Sequence, residues 1–136
     1  MSIGDKQKQL LLQFQNMDDL TRFDKLLAIA MTLQAPDLEL RKEENRFTAC
    51  QSNLWIKIAP SELGTEIRID SDSMIVRAFT SLLLSLISGE TDAEILSCKI
   101  DFWNDACFDE LLSWRTRQGL NALIPYIQKM YDYHKL

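Results

Sequence analysis

Apolar residues near the start of the chain fall into two groups with helical steps. Leu10, Leu11 and Phe14 form one patch, and Leu20, Phe23, Leu27, Ala30 and Met31 form another at steps of three and four, the repeat that lines up side chains on one face of an α-helix. The break falls near Asn16 to Asp19, where Asp18 or Asp19 is placed to accept a free backbone N–H at the start of the second helix. Pro36 excludes helical conformation at the residue before it and so ends that helix. From Gln34 to Thr48 the periodicity fails, and Asp37, Glu39, Arg41, Lys42, Glu43, Glu44 and Arg46 predict a solvated connection.

The period then changes to two. Leu54, Ile56 and Ile58 alternate with Trp55 and Lys57, and Ile67 and Ile69 alternate with Glu66, Arg68 and Asp70; these are two strands, joined through the turn residues of Pro60 to Gly64 as an antiparallel hairpin. Asp70-Ser71-Asp72-Ser73 supplies N-cap side chains before Met74 to Ile87, a run apolar around so much of its circumference that the helix it predicts is central. Gly89 ends that helix and Thr91-Asp92-Ala93-Glu94 fits a capping box for the next. Phe102, Trp103 and Phe108 anchor an irregular segment. Leu120, Leu123, Ile124, Ile127, Met130 and Tyr131 mark a final helix from about Ser113, with Pro125 removing one backbone donor inside it. This order predicts an α+β fold, a small antiparallel sheet packed with N-terminal, central and C-terminal helices, over a single domain spanning 1–136.

Composition narrows the function. A chain of 136 residues, 46% hydrophobic and 26% charged, buries roughly two-thirds of its extended surface and needs neither disulfides nor metal to fold. Fifteen Lys and Arg against twenty Asp and Glu give a net charge of −5, which disfavours binding to nucleic acid through phosphates. The N-terminus lacks the long apolar core of a signal peptide. The longest near-apolar stretch, Met74 to Ile87, is interrupted by Arg77 and is too short for a span of about 20 residues. The expectation is a cytoplasmic protein without a membrane segment. Three cysteines at irregular spacing then read as thiols.

Catalytic chemistry is scarce. The single histidine, His134, lies two residues from the end of the sequence, where a Ser-His-Asp or Cys-His pairing would rest on a fraying terminus. The four glycines form no phosphate-cradling loop, and Arg115-Thr116-Arg117 is either a solvated helix start or an anion site. Cys50, Cys98, Cys107 and His134 have the ligand count of a zinc site but no close Cys-x-x-Cys pair, so Cys98 and Cys107 read as packed thiols. A single cysteine such as Cys50 would ordinarily be a small buried hydrophobe as well. Its neighbours change that reading.

The segment Asn45-Arg46-Phe47-Thr48-Ala49-Cys50-Gln51-Ser52-Asn53-Leu54-Trp55 resembles the SufE/CsdE family of sulfur acceptors. Asn45, Phe47, Cys50, Gln51, Ser52, Leu54 and Trp55 match its hallmark. The resemblance continues, in order, in Ala35-Pro36-Asp37-Leu38, in Asp70-Ser71-Asp72 with Ile75-Val76, and in Gln118-Gly119-Leu120. It implies a persulfide relay in which Cys50 accepts sulfur from a pyridoxal-phosphate cysteine desulfurase, stimulates that enzyme and passes sulfur to an iron-sulfur cluster scaffold or another recipient. The carrier itself then needs no cofactor and is an accessory protein rather than an enzyme. Gln51, Ser52 and nearby backbone N–H groups are expected to support the sulfur anion, and Asp72 to lie near the loop or, equally well, to cap the central helix. Arg46, Arg115 and Arg117 are expected at the desulfurase interface.

Two positions depart from the family pattern. Ala49 stands where the family has glycine, so a loop requiring positive φ would be strained there. Thr116 stands where it has arginine, with Arg115 and Arg117 on either side. The competing reading from composition is a small acidic cytoplasmic binding chaperone or docking subunit, which places no demand on Cys50.

Overall fold

The computed structural model describes residues 1–62 and 64–135. Helix α1, Ile3–Gln15, opens with a capping box: Asp5 N–H donates to Ser2 Oγ at 3.0 Å and Ser2 N–H to Asp5 Oδ2 at 3.4 Å. Helix α2, Asp19–Thr32, is capped by Asp18, whose carboxylate accepts the Thr21 N–H at 2.8 Å. The buried face of α2 follows the predicted stripe only in part, through Ala30 and the half-buried Leu27. Leu26 and Ala30 are buried, whereas Leu20, Phe23 and Met31 face outward. The helix is apolar on more than one side, and its packing against the central helix, which periodicity alone does not reveal, selects which side goes in.

The segment after α2 is largely the solvated connection predicted for it, with local exceptions. It contains two 3-10 turns, Leu38–Leu40 and Glu43–Asn45, and Leu40 is buried. Two of its charges are partnered rather than hydrated: Arg68 holds Asp37 through two 2.8 Å hydrogen bonds, and Arg41 Nε donates to Asp70 at 2.8 Å, while Glu39, Lys42, Glu43, Glu44 and Arg46 are exposed. The α2 helix ends at Thr32, ahead of Pro36, and the carbonyls of Ala30 and Gln34 accept from the Arg77 guanidinium.

Strands β1, Leu54–Ser61, and β2, Gly64–Ser71, form the antiparallel hairpin, with Leu54 opposite Ser71 and Ser61 opposite Gly64. Leu54, Ile56 and Ile58 turn inward as the alternation requires. Pro60 belongs to β1, opposite Thr65, rather than to the turn; the turn closes through Gly64 at φ 116°, where a side chain would be strained.

Helix α3, Met74–Ile87, is central as predicted, with ten residues buried and Ser73 as its N-cap. Phe79 stacks near Phe102 and meets Phe108 edge-on at 5.0 Å, and Phe108 also meets Phe14 of α1. Gly89, at φ 78°, turns the chain out of α3. Thr91 caps α4, Asp92–Ser97, but the predicted box is only half made: the Glu94 carboxylate accepts the Ile3 N–H at the start of α1 instead. Two 3-10 turns carrying Phe102, Trp103 and Phe108 lead to α5, Trp114–Lys135, whose first turn is held by Ser113 Oγ accepting the Thr116 N–H. Pro125 sits inside α5.

The buried polar centre of this arrangement is Asp70, 3% exposed, which accepts from Arg77 Nη1 at 2.6 Å, Arg41 Nε at 2.8 Å and the Asp37 N–H at 3.0 Å. Asp70→Ala leaves Arg77, itself buried, without its carboxylate. The expected loss of stability is about 3–5 kcal/mol by urea denaturation, the cost of stranding one member of a buried ion pair. A loss below about 1 kcal/mol would mean that the pair behaves as a solvent-screened surface pair.

Candidate functional site

The site forms where the connection meets the first strand. Arg46 makes a single antiparallel bridge to Trp55, and the Phe47 N–H donates to the Leu54 carbonyl at 2.8 Å. Residues 48–53 are thereby closed into a loop with a hydrogen-bonded stem. Four of the matched hallmark residues build or brace that stem. Asn45 Nδ2 donates to the Leu40 carbonyl, the Phe47 ring meets Tyr126 of α5 at 5.4 Å, Leu54 is fully buried, and Trp55 lies beneath the Arg41 guanidinium at 5.2 Å.

Asn53 ties the far end of the loop. Its Oδ1 accepts from Arg46 Nη2 at 2.9 Å, its Nδ2 donates to Asp72 Oδ2 at 2.8 Å, and its carbonyl accepts from Ser71 Oγ at 2.6 Å. Asp72 therefore reaches the loop through Asn53, while Ser73 does the capping of α3. Sequence reasoning did not single out Asn53; its place between two expected site residues, Arg46 and Asp72, was the available signal.

Cys50 is 8% exposed and forms part of the hydrophobic core. It borders an open pocket of about 300 Å³ lined by Thr48, Ala49, Gln51, Trp114, Arg115 and Gln118. The first turns of α5 thus form the far wall, with the Trp114 ring exposed. Gln118 belongs to the matched Gln118-Gly119-Leu120 motif, whereas Trp114 had no distinguishing pattern in the sequence, because its relevance comes only from α5 lying alongside the loop. Arg115 reaches this pocket. Arg117 is not part of its lining: its guanidinium donates to Asp109 at 3.0 Å, and its Nε and Nη2 are buried without partners. Thr116, in place of the family arginine, serves the helix start through Ser113. Ala49 has no positive φ, so the replacement of glycine there carries no backbone strain.

Burial pushes the Cys50 thiol above its ordinary value, opposed in part by the backbone N–H of Ser52. At rest it is a protonated, shielded thiol, and sulfur chemistry at Cys50 requires an anion, which the open side of the pocket and the Ser52 N–H favour. Cys98 is also raised by burial, and Cys107 is pushed up to about 12 by burial and the adjacent Asp105. Among the described residues no group of three or more His, Cys, Asp or Glu is arranged to hold a metal ion; His134, the fourth member of the sequence-level zinc set, lies outside the residues whose side chains are described.

Residues 8–131, enclosing the loop, the hairpin and most of α5, match the SufE family model, described as an Fe-S metabolism associated domain. The chain belongs to the SufE family. It is 32% identical over 98 residues to SufE-like protein 2, chloroplastic, of Arabidopsis thaliana, covering 71% of this chain and 38% of that protein. It is 31% identical over 108 residues to sulfur acceptor protein CsdE of Escherichia coli (strain K12), covering 75% and 71%. A chloroplastic quinolinate synthase of Nicotiana tabacum shares 31% identity over 105 residues, 74% of this chain and 15% of the enzyme. The chain thus spans well under half the length of several relatives that it matches. A solution structure of a hypothetical protein from Thermus thermophilus superposes with a TM-score of 0.73 at 21% identity, covering 95% of both chains, and shares the fold. The SufE membership and the α+β architecture bear out the expectations drawn from the Cys50 segment and from the pattern of elements. No helix among the described residues is long and apolar enough to cross a membrane. Relatives named as chloroplastic leave the cytoplasmic expectation resting on the sequence reading alone.

The thiols also make stability depend on pH. Cys50, Cys98 and Cys107, together with the Tyr131 phenol pushed up to about 12 by burial, all hold their protons more tightly in the folded chain than in the unfolded one. Raised values mean that stability is intact below about pH 8.5 and falls as the pH climbs toward the folded-state values. Urea midpoints should therefore decline between about pH 9 and pH 11, less steeply in Cys107→Ser. A midpoint that rises over this interval would contradict the assignment.

Proposed function

We propose that this SufE-family chain is a sulfur acceptor whose Cys50 takes persulfide sulfur from a pyridoxal-phosphate cysteine desulfurase, stimulates that enzyme and delivers the sulfur to iron-sulfur cluster assembly. The observation that carries the reading is the placement of Cys50 in a stem-closed loop beside an open pocket, at the position where the family motif has its cysteine. The similarity to a protein named sulfur acceptor protein CsdE supports it.

In the transfer step the Cys50 thiolate attacks the terminal sulfur of the donor's Cys-S-SH. A new S–S bond forms on Cys50 as the donor's S–S bond breaks, and the donor cysteine leaves with the electron pair as a thiolate. The proton given up by Cys50 balances the one regained by the donor, and no external oxidant or reductant is consumed. The Ser52 N–H supports the sulfur anion, with Gln51 beside it at the exposed rim. Asp72 steadies the loop through Asn53. Arg46 and Arg115 present charge around the loop to the desulfurase; Arg117, ion-paired to Asp109 outside the pocket lining, is the weakest interface candidate of the three. Pyridoxal phosphate remains with the donor, and the carrier holds only the transient persulfide.

Cys50→Ser separates docking from chemistry. The hydroxyl is close to the thiol in size but holds no persulfide, so the variant should stay folded at a cost of about 1 kcal/mol and compete with the wild type for the desulfurase. Turnover measured with the two mixed in varying ratio should fall as the variant increases. Full stimulation by Cys50→Ser would reject covalent transfer and favour a docking role. Charge reversal at Arg46 or Arg115 should slow association and weaken its salt dependence, with little change in the rate within the preformed complex; unchanged association at low salt would remove these residues from the interface.

A further inference from the structure

Gly119 lies inside helix α5 with no positive φ, so its backbone does not need glycine. Glycine is also among the poorest residues for a helix interior, and alanine would favour the helix. The reason for it is found across the interface. A Cβ built on Gly119 would stand 3.0 Å from Cys50 Sγ, 3.1 Å from Cys50 Cα and 3.2 Å from Cys50 Cβ, all well inside ordinary carbon–carbon and carbon–sulfur contact. One of these atoms is backbone, so a rotamer change of the cysteine would not relieve the crowding. Gly64 and Gly89, the glycines with positive φ, meet nothing within 4 Å at the same test; close approach distinguishes Gly119 from both.

We propose that Gly119 is a positioning residue for Cys50: the bare backbone of α5 is the seat into which the thiol withdraws, and it sets how deeply the resting sulfur is shielded. Trp114, Arg115 and Gln118 of the same helix line the open side of the pocket, so one helix forms both the seat and the rim. A methyl group on the seat lifts the loop toward the pocket mouth. The thiol then gains hydration, forms its anion more readily and meets a reagent more often, at the expense of protection from oxidation. The meaning of this for sulfur transfer rests on Cys50 being the acceptor; the contact itself does not.

The test is Gly119→Ala in the full chain, with alkylation by iodoacetamide followed cysteine by cysteine through peptide mapping. Cys50 should react about tenfold faster near neutral pH, with its pH midpoint displaced downward, while Cys98 and Cys107 change less than about twofold. An unchanged Cys50 rate and midpoint in a folded variant would overturn the proposal, and so would a parallel rise at all three cysteines, which signals general loosening. Should Gly119→Ala fail to fold, Cys50→Gly combined with it removes the Sγ and Cβ contacts and leaves only the Cα: a folded fraction higher than that of Gly119→Ala alone, read by circular dichroism, supports the contact as the reason for the glycine, and no gain over Gly119→Ala overturns it. Sulfur transfer is not read in either arm, so a failure of the acceptor reading leaves this result standing.

Discussion

A single buried carboxylate organises the half of the molecule that presents the Cys50 loop. Asp70 takes one hydrogen bond from the central helix through Arg77 and two from the connection, through Arg41 and the Asp37 N–H. A charge removed from water costs several kcal/mol unless its partners are fixed in place, so these contacts define one arrangement of strand, helix and connection. The same strand end continues into Ser71 and Asp72, which hold the carbonyl and side chain of Asn53. The base of the Cys50 loop is therefore built on the Asp70 network, and a shift at Asp70 would be felt at the site through the next two residues of the chain.

The loop is fixed from the other side by α5. Phe47 packs on Tyr126, Cys50 presses on Gly119, and Trp114 and Arg115 stand at the opening. A sulfur carrier faces opposing requirements: a free thiolate reacts, but it also oxidises. The observed geometry keeps the sulfur desolvated while leaving one wall of its surroundings open. Protection is thus obtained from packing against a helix, and access from the open side of the pocket.

Much of this was legible in the sequence, for identifiable reasons. The alternation of Leu54, Ile56 and Ile58, the dense apolar run of α3 and the caps at Asp18 and Ser73 are local signals, and the structure reproduces the elements they predict. Cys50, the proposed acceptor, was singled out by its segment. What was missed depends on distant partners. Leu20, Phe23 and Met31 share the helical spacing of Ala30 yet face outward, while Leu26, outside that stripe, is buried; only the position of α3 decides which side goes in. Asp37 and Arg41 look as solvated as their charged neighbours until Asp70, Arg68 and Trp55 are placed beside them. Glu94 has the spacing to close its own capping box, yet bonds the start of α1. Gly119 was visible as part of a motif, but the cause, the distant Cys50 standing within 3.0 Å of where a Cβ would lie, exists only in three dimensions.

The central claim, that sulfur is carried covalently on Cys50, is tested most directly by mass analysis of the chain after incubation with a cysteine desulfurase and free cysteine. The account predicts a gain of the mass of one sulfur atom, mapped to the peptide containing Cys50 and removed by a thiol reductant, because a persulfide exchanges with thiols. Sulfur found mainly on Cys98 or Cys107, or no added sulfur while the desulfurase is stimulated, would contradict it.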